Sequence, residues 1–171
     1  MTIYTGGLRQ RLIADSVYHL LKDSLEDLGW LNTSRPYRDI TVVTETYPND
    51  VEIPLNTVVI NETVTTDNDA EMGSNLGEIS TTFYVDFYAE NEALGKELTH
   101  DVRDILRGRM SAIGRTNNNL PVYDWSMTTP PAIFVCEIQD VVVDQARDFP
   151  KPWQKYWWTC RFDIVDYYDG A

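Results

Sequence analysis

Residues 83–106, FYVDFYAENEALGKELTHDVRDIL, change from a strand pattern to a helix pattern within one or two positions. In the first half, apolar residues alternate with polar residues and tyrosines, which is the period of a β-strand. In the second half, apolar residues recur every three or four positions, which is the period of an α-helix. The stretch therefore predicts a strand over residues 78–89 and a helix over about residues 91–110. It carries no evident catalytic group, which is typical of a protein that works by presenting surfaces.

The same patterns predict the elements on either side of this stretch. Leucines at helical spacing begin at residue 8, and Gly29 follows where a helix stop is expected. Stretches rich in Thr and Val predict two strands, and the Pro, Asn and Asp residues between them predict a turn. The segment around Val122 is either irregular or a brief strand. The predicted elements are helices over residues 8–28 and 91–110 and strands over residues 38–45, 55–66, 78–89, 132–143 and 156–168.

The order of these elements predicts an α+β fold. Strand pairs joined by turns favour antiparallel pairing, and the two amphipathic helices each need an apolar surface to cover. We therefore expect a two-layer arrangement, in which two α-helices pack on one face of a mainly antiparallel β-sheet. A chain of 171 residues is long enough for one domain, so residues 1–171 are predicted to form a single domain.

The chain is strongly acidic, with 14 Lys and Arg against 27 Asp and Glu and a formal net charge of -13. Binding to a phosphate backbone needs cations that displace counterions, so this charge disfavours a protein that grips nucleic acid. The charge suits a surface that DNA passes without sticking, and a role in solubility explains it equally well. No apolar run approaches the length that spans a membrane.

The two cysteines, Cys136 and Cys160, both lie in apolar, strand-like runs. A thiol in such a run behaves as a small buried hydrophobe, so free core thiols are expected. A disulfide stays open as an alternative if the two strands are neighbours. Residues 1–7 lack the apolar region of a signal peptide, which favours a reducing interior.

Residues 67–77 are polar and acidic and contain two glycines, so they predict an exposed loop between two strands. Four acids in and after this loop match positions one, three, five and twelve of a calcium-binding loop: Asp67, Asp69, Glu71 and Glu78. Position six is Met72 where a glycine is required, and no helix pattern leads into the loop. We therefore expect a strand-flanked acidic loop, with calcium binding as the alternative.

The remaining candidates for chemistry are weak. His19 and His100 lie on the polar sides of their helices without a second His or Cys at ligand spacing, so both are expected to be solvated. The neighbours His100 and Asp101 are compatible with a small hydrolase, but the further ligands of such a site are missing. Acid pairs such as Asp163 and Asp166 carry little information in so acidic a chain. We predict no catalytic residue, no cofactor and no metal.

The last predicted strand, KYWWTCRFDIVDYY, is more informative. Its alternation directs Trp158, Cys160, Phe162 and Ile164 toward the helices and the residues between them toward the opposite face. Tyr, Trp and Arg, the residue types that are enriched in protein interfaces, would then lie together on the uncovered side of the sheet. The predicted interface residues are Tyr84, Tyr88, Trp157 and Arg161. In the alternative, these aromatic side chains pack under a loop such as residues 111–130.

The element order and the 83–106 stretch resemble the tail terminator (tail completion) proteins of long-tailed bacteriophages, a group that includes related neck proteins. The resemblance covers most of the chain: a leading amphipathic helix, a β-meander with a long loop, a strand ending in Tyr88-Ala89 that runs into the second helix, and two closing strands. It is a resemblance in the order and type of the elements.

The resemblance implies a ring, usually a hexamer, that sits on the last ring of the tail tube, stops tube growth and offers a surface for head-tail joining. The implied partners are other copies of the chain, the tail tube protein and the head-tail connector, with DNA passing through the ring. Such a protein is made in the host cytoplasm and resides in the virion. We expect Asp67, Asp69 and Glu71 to line the lumen or to reach a neighbouring ring.

Three alternatives stay open. A head-tail connector, neck or tail tube subunit shares the β-rich layout. A small cytoplasmic binding module would use the acidic loop to take calcium. A small hydrolase would use His100 and nearby acids.

Overall fold

The structure is a computed structural model and describes residues 6–31, 40–44, 54–69, 76–111, 114–145 and 156–169. It has two helices and a six-stranded sheet, which confirms the α+β class. The helices are α1 (Gly6–Asp27) and α2 (Glu92–Leu106). The strands are β1 (Thr41–Val43), β2 (Thr57–Asp69), β3 (Leu76–Tyr88), β4 (Asn119–Tyr123), β5 (Ala132–Gln145) and β6 (Trp157–Asp169). The segment around Val122 is thus the brief strand β4.

The strands lie in the order β1-β2-β3-β6-β5-β4 and form a mixed sheet. β1 is parallel to β2, with Thr41 opposite Thr57, whereas the other neighbouring strands are antiparallel. The predicted turn between β1 and β2 implied that these two strands pair in antiparallel orientation, and this prediction is wrong. Turn residues mark a change of direction but do not fix how the strands pair, and residues 44–56 are long enough for a parallel crossover.

The acidic loop is shorter than predicted. β2 continues through Asp69, and β3 begins at Leu76, so that Asp67 faces Ile79 and Asp69 faces Gly77 in an antiparallel ladder. The ladder continues because its hydrogen bonds join backbone groups, which polar side chains leave available. Of the predicted loop residues, Glu71 lies outside the described residues.

Both helices contribute to one apolar core. Its members from α1 and α2 lie at helical spacing, and its members from β3 are Phe83, Val85 and Phe87, as the alternation predicts. The rings of Phe83 and Phe162 stack across β3 and β6 with centroids 5.6 Å apart. Among the described residues, neither helix is long and apolar enough to cross a membrane.

Helix α2 begins and ends at residues that satisfy its terminal backbone groups. The Asn91 side chain accepts a hydrogen bond from the Leu94 backbone N–H at 2.9 Å, which is an N-cap. The helix ends at Leu106, four residues before the predicted end. Gly108 follows with φ of 62°, a conformation that glycine adopts easily and that stops a helix.

Gly95 allows α2 to approach β6 closely. A Cβ atom at this position would lie 2.4 Å from Cδ1 and 2.5 Å from Nε1 of the Trp158 ring. Trp158 is itself buried, so its ring has little room to move aside. A glycine in a helix costs stability relative to alanine, and here the close contact with the indole explains its presence.

Arg9 and Asp166 form a buried ion pair between α1 and β6, which the sequence analysis missed. The guanidinium donates from Nε and Nη2 to the two carboxylate oxygens at 2.8 and 2.7 Å. The Asp166 side chain is 2% exposed and that of Arg9 is 21% exposed. The guanidinium also lies 3.8 Å from the centre of the Phe134 ring. The N-terminal part of α1 is thereby joined to the sheet.

The two cysteines are free and buried, which confirms the first of the two alternatives. Cys160 lies opposite Val143 on β5, and Cys136 lies seven positions before Val143 on that strand. This offset corresponds to roughly 20 Å along a strand, far beyond the reach of a disulfide. Burial raises the pKa of each thiol to about 12, so both stay protonated and unreactive.

Replacing Arg9 by Ala is expected to lower the free energy of unfolding by about 3 kcal/mol, because the buried Asp166 carboxyl group would lose both hydrogen bonds from the guanidinium. Urea unfolding followed by circular dichroism measures this loss. Arg11→Ala is the matched control, since Arg11 is an exposed residue of the same helix and should change stability by less than about 0.5 kcal/mol. Equal effects of the two substitutions would contradict the assigned role of the ion pair.

Replacing Gly95 by Ala is expected to destabilise the protein by about 1 kcal/mol or more. Alanine normally stabilises a helix relative to glycine by about 1 kcal/mol, but overpacking against Trp158 costs about 1–3 kcal/mol. The control is Gly7→Ala in α1, where nothing lies within 4 Å of the added Cβ. Thermal unfolding should separate the two variants, and a Gly95→Ala protein more stable than the parent would rule out the clash.

Candidate interaction face

The four predicted interface residues lie together on two neighbouring strands. The register of β3 and β6 places Tyr84 opposite Arg161 and Tyr88 opposite Trp157. Because side chains alternate along a strand, all four lie on the face opposite to Phe83 and Phe162. We call these four residues the aromatic patch. Whether they contact another chain stays a prediction.

One half of the aromatic patch is a small second core. The rings of Tyr88 and Trp157 stack with centroids 5.6 Å apart and an interplanar angle of 18°. Val59 of β2 and Val43 of β1 pack against them. Tyr88 is only 7% exposed, so the expectation that it lies on an uncovered surface is wrong. The valines of the two neighbouring strands cover it, and the periodicity of β3 alone carried no information about them.

Asp86 is the polar centre of the same face. Its carboxylate accepts hydrogen bonds from Trp157 Nε1 at 3.0 Å and from Asn61 Nδ2 at 3.4 Å. Burial raises the pKa of Asp86 above its ordinary value of 3.8, and these hydrogen bonds only partly oppose that effect. Burial and the nearby Asp86 charge also raise the pKa of the Tyr88 hydroxyl. The indole of Trp157 is thus held by a stacked ring on one side and a carboxylate on its edge.

The other half of the patch is more accessible to solvent. Arg161 is exposed, and its guanidinium lies 3.9 Å from a carboxylate oxygen of Asp163. This pair is weak, because the Arg161 side chain is 49% exposed and an exposed pair contributes about 0–1 kcal/mol. Asp163 accepts a shorter hydrogen bond, 2.6 Å, from the Thr82 hydroxyl. Arg161 can therefore leave Asp163 for another acidic group at little cost.

The Trp125 side chain of the segment 111–130 packs elsewhere. The ring of Trp125 stacks on His19 with centroids 3.7 Å apart, and its Nε1 donates to the Ser16 hydroxyl at 3.1 Å. His19 is therefore half-buried against a ring and only partly exposed to solvent. These contacts are with α1, so they give no support to the alternative in which this loop covers the aromatic patch.

The described acids of the predicted calcium loop, Asp67, Asp69 and Glu78, lie on strands. Asp67 and Asp69 lie on β2 and Glu78 lies on β3, whereas such a loop is entered and left by helices. Within the described ranges, no three His, Cys, Asp or Glu side chains lie close enough to hold a metal ion. The expectation that Asp67, Asp69 and Glu71 face a lumen or a neighbouring ring stays a prediction.

The side chains of the neighbouring residues His100 and Asp101 contact different parts of the structure. Asp101 accepts a hydrogen bond from Nε1 of the buried Trp30 at 2.9 Å, which connects α2 to the segment after α1. His100 lies beside a groove of about 500 Å³ between α2 and β5, which Arg103 and Arg107 also line. A second groove, of about 860 Å³, lies on the other side of Arg107. Sequence reasoning missed both grooves, because they form between elements that lie far apart in the chain.

A scan against protein-family models finds no match to this chain, and a search among curated proteins finds none either. The function has therefore to be inferred from the residues and geometry of the chain itself.

Replacing Asp86 by Asn is expected to make stability less dependent on pH. In the parent protein the raised pKa of Asp86 favours the protonated folded form, so its contribution is fully present below the ordinary value of 3.8. That contribution is lost as the pH rises through the folded pKa. The free energy of unfolding of the parent minus that of Asp86→Asn should therefore fall with rising pH, by about 1.4 kcal/mol for each unit by which the folded pKa is raised.

Urea unfolding of both proteins at several pH values from about 3 to about 7 measures this difference, because the change begins near the ordinary pKa of 3.8. Asp144→Asn, which removes a carboxylate at an exposed position, is the control. A constant difference between the parent and Asp86→Asn over this range would show that burial does not raise the pKa of Asp86.

Proposed function

We propose that this chain is a structural protein of a bacteriophage tail, with the role of the tail terminator proteins that its sequence layout resembles. Copies of the chain form a ring, six-fold in this proposal, at the end of the tail tube. The ring stops tube growth and offers a surface for head-tail joining. The protein is made in the host cytoplasm and resides at the tail-neck junction of the virion. It makes and breaks no covalent bond.

The observation that supports this proposal most is the geometry of the aromatic patch. Four residues chosen from the sequence as interface residues lie on adjacent strands and in register. Tyr, Trp and Arg are the residue types that contribute most binding energy at protein interfaces. The stacked rings of Tyr88 and Trp157 give this face a fixed shape, and Arg161 adds an exposed charge beside them. Such a face fits a contact with a second folded protein.

The proposal includes the finer description of the fold, a mainly antiparallel sheet with both helices on one face. Four antiparallel pairs connect the described strands from β2 to β4 through β3, β6 and β5, and both helices contribute to the same core. In this arrangement the aromatic patch lies on the face that the helices leave available. A neighbouring subunit or the tube can then reach the exposed part of the patch around Arg161.

The charge of the chain is compatible with a ring through which DNA passes. A net charge of -13 on each copy repels phosphate groups, so DNA would slide through such a ring without being held. A connector, neck or tube subunit would need the same property. The aromatic patch fits these roles as well, and the partner that binds the chain distinguishes them.

The alternatives of another class have less support. A calcium-binding module would need acidic ligands on a suitable loop, but Asp67, Asp69 and Glu78 lie on two paired strands. A hydrolase based on His100 would need Asp101 beside it, and that carboxylate is occupied by Trp30. Calorimetry with calcium and an activity screen with a His100→Ala control would test these two alternatives directly.

Arg161→Ala is expected to weaken assembly by at least tenfold while leaving the monomer folded. The substitution removes an exposed cation of the aromatic patch, and its weak pair with Asp163 contributes little to stability. Negative-stain images and sedimentation of the protein, alone and with tail tubes of the same phage, measure ring formation and capped tube ends. Arg11→Ala, another exposed arginine, is the control and should assemble like the parent.

Trp157→Phe provides a second measurement, because it keeps a ring against Tyr88 and removes the N–H that binds Asp86. Trp157→Ala is less informative, since it removes the stacked ring and lowers the stability of the monomer. Rings and capped tubes that form equally well with Arg161→Ala and with the parent would refute the role of the patch. Tubes that keep growing past the bound parent protein would refute the proposed function.

A further inference from the structure

A pocket lies between the C-terminal half of α1 and strand β4, and it shares no residue with the aromatic patch. Its volume is about 300 Å³, at the small end of the range of ligand pockets, which is roughly 300–1,000 Å³. Helix α1 forms one side, and β4 with the segments just before and after it forms the other side. We call this the α1–β4 pocket, and its size suits a small molecule.

Hydrogen bonds and ring contacts join the two sides at one end of the pocket. The Ser16 hydroxyl of α1 accepts hydrogen bonds from the Tyr123 backbone N–H at 3.0 Å and from Trp125 Nε1 at 3.1 Å. The Trp125 ring stacks on His19 of α1 with centroids 3.7 Å apart. All four residues line the pocket. This end is therefore ordered by the fold itself, so a ligand would lose little affinity to the ordering of these side chains.

Arg115 lines the pocket as a cation with spare hydrogen-bond donors. Its Nη2 donates to the Asn117 backbone oxygen at 3.1 Å, whereas its Nε is buried and has no hydrogen-bond partner among the described residues. None of the ion pairs between described residues includes Arg115. Burial lowers the pKa of Arg115 below its ordinary range. A guanidinium has five N–H donors and binds carboxylates well, so Arg115 can bind an anionic group in the pocket.

Ser24 is a second polar group of the pocket that is available to a ligand. The residue is only 7% exposed, and its hydroxyl makes no hydrogen bond to any residue that the structure describes. Hydroxyl groups in helices often donate to the backbone oxygen four residues earlier, as Thr99 does to Gly95 at 2.6 Å. Buried hydroxyl groups are usually hydrogen-bonded, so Ser24 is a donor that a ligand in this pocket would satisfy.

The rest of the lining consists of an apolar part and an acidic rim. The apolar part is formed by Leu20 of α1 with Leu120 and Pro121 of β4. Asp23 and Asp27 lie four residues apart on α1, so they share one face of the helix, and both are exposed. Two carboxylates at the rim attract a ligand that has an ammonium group and repel a ligand that has only negative charge.

We propose that the α1–β4 pocket binds a small zwitterion, in which an apolar chain separates a carboxylate from an ammonium group. The carboxylate contacts Arg115 and Ser24, the apolar chain lies against the leucines and the proline, and the ammonium group faces the two aspartates of the rim. Charges of both signs and an apolar part between them match this class of molecule and exclude a simple anion. The site is additional to the proposed role in the tail and does not depend on it.

Titration of the full chain with 6-aminohexanoate tests the site, because this compound carries a carboxylate and an ammonium group at the two ends of an apolar chain. Hexanoate lacks the ammonium group and hexylamine lacks the carboxylate, so they are the matched probes. Calorimetry should give a Kd of about 1 mM or tighter for 6-aminohexanoate and at least tenfold weaker binding for each matched probe. The indole N–H signal of Trp125 should shift during the NMR titration, because this N–H binds Ser16 at the end of the pocket.

Four variants separate the contributions of the groups. Arg115→Gln should weaken binding of 6-aminohexanoate by at least tenfold, and Ser24→Ala should weaken it by a smaller factor. Asp23→Asn with Asp27→Asn should weaken binding of 6-aminohexanoate and strengthen binding of hexanoate, because the repulsion at the rim is removed. Arg109→Gln is the matched control, since Arg109 is an exposed arginine outside this pocket, and it should bind like the parent.

Circular dichroism checks that each variant is folded, and Ser24→Ala with the aspartate variant supplies the test if Arg115→Gln does not fold. The proposed site is wrong if the parent binds no 6-aminohexanoate at about 10 mM, a concentration that detects Kd values in the millimolar range. It is also wrong if hexanoate or hexylamine binds as tightly as 6-aminohexanoate, or if a folded Arg115→Gln protein binds like the parent. Ring formation and tube capping are measured separately, so neither result bears on the proposed function.

Discussion

Strand β3 is buried on its core face from Phe83 to Phe87 and half-buried to buried on its other face, and the arrangement of the rest of the chain depends on this constraint. Phe83, Val85 and Phe87 enter the core that both helices share, while Tyr88 packs in the second core with Trp157. A shift of one residue against β6 would exchange the two faces and place Asp86 in the main core. The register of β3 and β6, and with it the aromatic patch, is therefore fixed by burial.

Local periodicity was sufficient to predict those helices and strands that have one face toward the core and one face toward solvent. It predicted α1, β3, α2 and the face on which Arg161 lies, because alternation and helical spacing are properties of adjacent residues. It could not predict the parallel pairing of β1, which depends on how distant segments meet. The ion pair of Arg9 with Asp166 joins residues 157 positions apart, and one acid among 27 gives no signal in the sequence.

The candidate site was predicted as a set of residues but not as a structure. Nothing in the sequence indicates that Asp86 holds the Trp157 indole or that Val43 and Val59 cover Tyr88, since these contacts require the neighbours of β3 to be known. The same limit applies to Gly95, whose role depends on the Trp158 ring across the helix-sheet boundary. The basic groove beside β5 also arises only when α2 and β5 are placed side by side.

The two halves of the aromatic patch would contribute differently to a contact with another protein. Tyr88 and Trp157 are already stacked, and Trp157 is hydrogen-bonded to Asp86, so folding has ordered these side chains before any partner arrives. A side chain that is ordered in advance loses little conformational entropy on binding. Arg161 is exposed and weakly paired, so it can move to meet a partner. In an interface on this face, the stacked Tyr88 and Trp157 would determine the shape of the contact surface. Arg161 would determine the preference for an acidic group on the partner.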